Sequence, residues 1–289
     1  MQGSDCRARW VALSWMLLIH CSFTGVARAE KDKDAQSGND PTLRFQCLAE
    51  AYPTWVKRLA VDPRPGPRSA RATVELADGS ALPWDDGVKQ KTADQLLDAP
   101  DLKDMLSNPY PVREGLSPPG AGDDPGRARV ALFFEGLYGR TAAAVEQNLD
   151  SVPWPSVGGG GHLKFNRKGG AADALRLVSA ELERLPSPLR KYFTTTSGTF
   201  NARKIAGTER PSAHSWGIAI DLNTDYSDYW RWDEKKHPSL PWKNRIPVEI
   251  VRVFERRGFI WGGRWHHYDT MHFEYRPEML RPACVRGSH

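Results

Sequence analysis

Cysteine is scarce in this sequence: there are four in 289 residues, and no pair is spaced CxxC. That excludes a disulfide-built mini-fold, a zinc ribbon and a thioredoxin-type redox site. No internal apolar run reaches eighteen residues, so no polytopic membrane protein is encoded. Neither sign of charge dominates. Forty Lys+Arg stand against 35 Asp+Glu, and the basic residues are scattered among the acids. Nucleic acid is therefore not an expected partner. The HExxH pattern is absent, which excludes the helix-borne zinc proteases. No internal repeat is visible. What remains is an ordinary globular composition, 40% hydrophobic, long enough for one large domain or two small ones.

Residues 1–29 have the layout of a secretory signal peptide. Arg7 and Arg9 precede an apolar run over 10–19, and Ala27-Arg28-Ala29 forms a small-x-small cleavage pattern. The expected address is secreted or periplasmic, with cleavage after Ala29 and no membrane span thereafter. Cleavage removes three Arg and one Asp, lowering the formal charge of +5 by two, and leaves Cys47 and Cys284. In an oxidising compartment two lone cysteines tend to pair, which would staple the start of the mature chain to its end. Two buried free thiols are the other reading.

Residues 30–41 are polar, without an apolar period, and read as a mobile leader. An N-terminal extension of unassigned role follows over 42–157. In it, 43–59 predicts a helix, and 73–82 a hairpin turning at Asp78-Gly79. The Pro- and Gly-rich stretch 109–126 predicts a loop, and Thr141 is placed to cap a helix carrying Val145 and Leu149. Four glycines at 158–161 mark a boundary, and 158–285 forms the second domain. There Leu175, Val178, Leu182 and Leu185 recur at helical spacing before Pro186. Pro247 opens another helix with Ile250, Val251 and Phe254 inward, closed by Gly258. The strand-like run 217–222 puts Ile218, Ile220 and Leu222 on one face. Gly217, Ala219 and Asp221 take the other, a small-small-carboxylate face with room above it.

The chemistry concentrates in three segments. They are Ser197 to Arg203, Ser212-Ala213-His214 through Asp221, and Asp269-Thr270-Met271-His272-Phe273-Glu274. A catalytic zinc takes three nitrogen or oxygen ligands and leaves its fourth position open. His214, Asp221 and His272 supply such a set. Asp269, three residues before His272, can reach the same place without ligating. A free carboxylate there suits peptide hydrolysis, because it can take a proton from water and give it to a leaving amine. Glu274 is two residues past His272, so on a strand it shares that face and is suited to hold an imidazole N–H. His266 and His267 are adjacent and face opposite ways on a strand. One of them, with His267 preferred, lines the cleft beside Ser212. Trp261 and Trp265 flank the Gly262-Gly263 turn and are the tryptophans expected to contact substrate.

The pattern His214-x2-Gly-x-Ala-x-Asp221, then Trp261-Gly-Gly-x-Trp265, then Asp269-x2-His272-Phe-Glu274, resembles the M15 family of zinc D,D-peptidases over about 163–280. The family includes VanY-type D-alanyl-D-alanine carboxypeptidases and L-alanyl-D-glutamate peptidases. The resemblance implies Zn2+ on His214, Asp221 and His272, with Asp269 as general base. It also implies that Arg203, in the stretch upstream, positions substrate and polarises its carbonyl. It further implies an α+β, D,D-peptidase/Hedgehog-like zinc domain. An antiparallel sheet would line the cleft, with helices on one side and the N-terminal extension attached. The expected substrate is a peptidoglycan stem peptide, and the expected state a monomer. Two other readings stay open: a catalytically weak wall-binding module with a structural zinc, and a zinc peptidase acting on a non-wall peptide.

Overall fold

The computed structural model describes residues 41–63, 72–157, 159–234, 240–282 and 284–286. The expected signal peptide and all but the last residue of the expected leader lie outside the described residues. The strands in chain order are β1 Val56–Val61, β2 Ala72–Leu76, β3 Ala81–Asp85, β4 Tyr110–Pro111, β5 Leu149–Trp154 and β6 Gly161–Asn166. They continue with β7 Thr196–Gly198, β8 Ala219–Leu222, β9 Phe259–Trp261, β10 His272–Tyr275 and β11 Val285–Arg286.

Around the site the sheet is four-stranded, in the order β7-β8-β10-β9, and each neighbouring pair is antiparallel. Alternation sorts the side chains of β10. Phe273 stacks on Phe254 of the helix Val248–Glu255 with ring centroids 3.9 Å apart. His272 and Glu274 point the other way. That helix buries Ile250, Val251 and Phe254, as its spacing predicts, and Gly258 ends it at φ +87°. The helix Ala171–Leu182 buries Leu175, Val178 and Leu182 and packs on both the Val248–Glu255 helix and β5. The architecture is α+β, helices packed on antiparallel sheets.

Three local readings change. The 43–59 helix stops at Ala51, and Val56 already starts β1, which completes a β1-β2-β3 meander around the expected hairpin. Thr141 does cap a helix, its Oγ1 accepting the Ala144 N–H at 3.2 Å, but that helix ends at Glu146 and Leu149 opens β5. Gly217 is not part of a strand. It closes the 3-10 turn Ala213–Trp216 at φ +66°, and a Cβ there would sit 2.7 Å from Leu149. The strand face is therefore Ala219 and Asp221 alone.

Residues 149–154 and 161–166 pair as one antiparallel hairpin, whose turn contains the 157/158 boundary. The described residues form a single compact unit with one shared hydrophobic core, from Leu48 through Phe134 to Met279. The two ends are joined covalently. Cys47 and Cys284 form a disulfide with Cα atoms 6.5 Å apart, and Tyr52 donates to Glu278 at 2.8 Å.

Candidate metal centre and its cleft

Asp221 and His272 face each other across β8 and β10 as a register pair, and Glu274 pairs with Ala219. Directly opposed residues share a face with Cβ atoms about 5 Å apart, so the strand register alone brings the two donors together. The methyl of Ala219 leaves space for the Glu274 carboxylate. His214 arrives from the 3-10 turn before β8. Ser212 caps that turn by accepting the His214 N–H at 3.4 Å.

The donor atoms converge. His214 Nε2 lies 3.2 Å from Asp221 Oδ2 and 3.3 Å from His272 Nδ1, and His272 Nδ1 lies 3.0 Å from Asp221 Oδ1. The remaining ring nitrogens fix the tautomers. His214 Nδ1 sits 2.6 Å from the Thr199 carbonyl and must donate to it, so Nε2 presents a lone pair. His272 Nε2 sits 3.4 Å from Glu274 Oε2 and donates there, which leaves Nδ1 as the nitrogen that a metal ion would take in place of a proton. Two imidazole nitrogens and a carboxylate this close repel unless a proton or a metal cation lies among them. Donors about 2.0–2.1 Å from a tetrahedral zinc stand about 3.3 Å from one another, which is the spacing found. The group His214, Asp221 and His272 therefore fits a divalent metal.

The electrostatics agree. Burial would depress the His272 pKa, but Asp221 and Glu274 overcome it and push it up to about 10, so without a metal ion the imidazole holds a proton where the cation would sit. Burial would raise Asp221, and the two imidazoles instead hold its carboxyl well below the usual range. Glu274 is fully buried, yet Arg129 and His272 keep it far below its ordinary value. Arg129 grips both of its oxygens, with Nε at 2.7 Å from Oε1, and Arg276 adds a contact at 3.2 Å. Asp269 behaves oppositely. Burial, then the Asp221 charge, raises it to about 6. Its Oδ1 is buried with no hydrogen-bond partner among the described residues.

Asp269 is placed by a close approach. Its N–H donates to the Gly262 carbonyl at 3.0 Å, and a Cβ on Gly262 would stand 2.5 Å from the Asp269 carbonyl oxygen. A cleft of about 370 Å³ opens over the group, lined by His214, Asp221, Asp269 and His272 together with Arg203, Ser212, Trp265 and His267. Trp261 is not on that wall. It is fully buried, its indole N–H donates to the Thr270 carbonyl at 2.9 Å, and it packs beneath the sheet against Phe273. Flanking the glycine turn puts the two tryptophans on opposite sides of it, and only Trp265 meets the cleft.

The loop 123–129, read from sequence only as a break and an unassigned extension, forms one side of this cleft. The Asp123 carbonyl takes the His266 N–H at 2.8 Å. Asp124 takes the His267 N–H at 2.9 Å and His267 Nδ1 at 2.6 Å. The Pro125 carbonyl takes the Trp265 indole N–H at 2.7 Å, and the Gly126 carbonyl takes Arg276 at 2.7 Å. Arg127 and Arg129 then line the cleft. Sequence reasoning missed both arginines. The only signal was two basic residues just after a Gly-Pro break.

Residues 206–275 match the family model described as D-alanyl-D-alanine carboxypeptidase, of peptidase M15 type. No curated protein and no solved structure is matched. The matched stretch holds His214, Asp221, Asp269, His272 and Glu274, and begins just after Arg203. Over these residues the chain is similar in sequence to M15-type D-alanyl-D-alanine carboxypeptidases.

Proposed function

We propose that this protein is a secreted zinc peptidase that hydrolyses a peptide bond of peptidoglycan stem peptides. The reading is carried by one observation: His214, Asp221 and His272 bring ligand atoms within 4.8 Å of one another in a cleft shared with Asp269, whose Oδ1 has no hydrogen-bond partner among the described residues. His214, Asp221 and His272 would hold the ion. Zinc bound there would act as a Lewis acid and lower the pKa of its water to about 7. Asp269 accepts the proton of the attacking water and returns it to the departing amine. Arg203 meets the negative charge that develops on the substrate carbonyl oxygen. The Thr199 carbonyl and Glu274 keep the two imidazoles in their ligating tautomers. Ser212 holds the His214 turn, while His267, clamped by Asp124, and Trp265 shape the cleft wall. A purely structural zinc site has no use for a bare carboxylate beside it, which favours catalysis over a binding module.

The test is incubation of purified protein with muropeptides, with and without a chelator, followed by mass identification of products. Release of D-Ala marks a carboxypeptidase, and split stems mark an endopeptidase. Intact muropeptides after incubation with zinc-loaded protein would overturn the proposal.

A further inference from the structure

A second, larger cavity of about 980 Å³ adjoins the metal-site cleft, and Arg127, Arg129 and Ile205 line both. Its other walls are the helix Ala93–Asp98 and the turn around Gly207–Arg210. The chemistry proposed above makes no use of it. The smaller cleft already falls in the size range of a complete small-ligand site, about 300–1,000 Å³. The adjoining space is therefore extra length.

Its charges are unevenly committed. Arg129 is taken by Glu274. Glu209 is taken by Lys204. Arg127 uses one N–H on Asp124 at 3.3 Å, and that same carboxylate is already shared with His267. A guanidinium has five donors, so Arg127 has capacity left. Arg210 is mostly buried, with its Nε lacking a hydrogen-bond partner among the described residues. Its ion-pair partner Asp98 stands 3.5 Å away and is itself 65% exposed. A pair this long, with its carboxylate mostly in solvent, contributes little, and an incoming carboxylate can displace Asp98. Burial lowers the Arg210 pKa, Asp98 opposes that, and the positive charges of Arg127 and Arg129 lower it further. Several guanidinium groups thus crowd one end of the cavity. Asp94 and Glu135 also line it, and Asp94 with Asp98 offsets part of the positive charge at Arg210.

We propose that this cavity continues the substrate site, and that Arg210 together with Arg127 binds a free carboxylate of an extended peptide, away from the bond that is cut. The proposal rests on the peptidase reading above and makes the N-terminal segment a determinant of substrate length and charge.

The test uses zinc-loaded Asp269→Asn protein, in which peptide can bind without turnover, and follows tryptophan fluorescence. The probes are two synthetic stem pentapeptides, L-Ala-γ-D-Glu-L-Lys-D-Ala-D-Ala with the D-Glu α-carboxylate free, and its α-carboxamide twin. The free acid is expected to bind about ten-fold more tightly or better, as a charge-assisted hydrogen bond allows. Adding Arg210→Gln removes that difference and leaves the carboxamide's affinity where it was, while Arg210→Lys keeps part of it. Melting curves of the variants check folding. Equal binding of the twins, or equal weakening of both by Arg210→Gln, overturns the cavity proposal and leaves the peptidase reading standing. Failure of both peptides to bind overturns the peptidase reading, and the cavity proposal falls with it.

Discussion

Asp269 and Asp221 are both buried carboxylates in one cleft, yet their environments drive them apart. Asp221 is flanked by two imidazoles and stays ionised, whereas Asp269 is raised to about 6 by burial and by the Asp221 charge. Such divergence separates a ligand from a proton carrier. Replacing Asp269 by Asn keeps the shape but removes the basic oxygen. Zinc content should stay near that of the parent while kcat falls about 100- to 10,000-fold. Metal analysis and steady-state kinetics on one preparation check both halves. His214→Ala, by contrast, should lose the metal as well. Asp269 must be ionised to accept a proton, so activity should disappear as pH falls through its pKa. A bound dication stabilises the carboxylate further, so the acid limb of kcat/KM should lie at or below pH 6. A limb centred above pH 7 would contradict the assignment of Asp269 as base.

The strand pair β8 and β10 converts sequence into site. Asp221 and His272 were legible as donors because residue type and spacing are visible in a string of letters. Their meeting depends on register, and a slip of one residue would send His272 to the opposite face. Glu274 belongs to the same face, and its charge is sustained by Arg129 from across the fold. Truncating Arg129 to Ala leaves a fully buried carboxylate without its main partner, a loss of about 3–5 kcal/mol in stability. Because Glu274 also orients His272, zinc affinity should fall about 10- to 100-fold. Denaturant titration and metal competition measure the two effects separately. The pH signature follows from the depressed Glu274 pKa. Its contribution is fully present above the unfolded value of about 4.3 and is lost as pH falls through the folded value, so the parent loses more stability than Arg129→Ala on going to pH 3. The turn before β10 carries a different constraint. A methyl at Gly262 would press on the Asp269 carbonyl, so Gly262→Ala should cost on the order of 100-fold in kcat with the metal still bound.

The part of the molecule least visible in its sequence is the wall built by 123–129. Three of its six anchoring residues act through backbone carbonyls, those of Asp123, Pro125 and Gly126, and a backbone oxygen has no sequence signature. The others are common surface residue types: the partners of Asp124 and Arg129 lie some 140 positions away, and Arg127 pairs locally with Asp124. The helices around Leu175 and Ile250 were legible because an amphipathic stripe repeats locally, and the long-range staple of Cys47 to Cys284 because only two cysteines followed the expected leader. That disulfide closes a loop of 237 residues, for which the chain-entropy model gives an upper value of about 5 kcal/mol. Cys47→Ser should lower unfolding free energy by about 2–5 kcal/mol and leave kcat unchanged, since neither cysteine lines the cleft. Asp124 makes the complementary case. Its Oδ2 holds both His267 and Arg127, two residues of the cleft wall, so Asp124→Ala frees both side chains while leaving the metal ligands and Asp269 untouched. Zinc content and melting temperature should change little, and KM should rise more than kcat falls, because what is lost is the shape and charge of the substrate wall. If kcat alone collapsed instead, the loop would be acting on the chemistry through Asp269 or the metal rather than on binding.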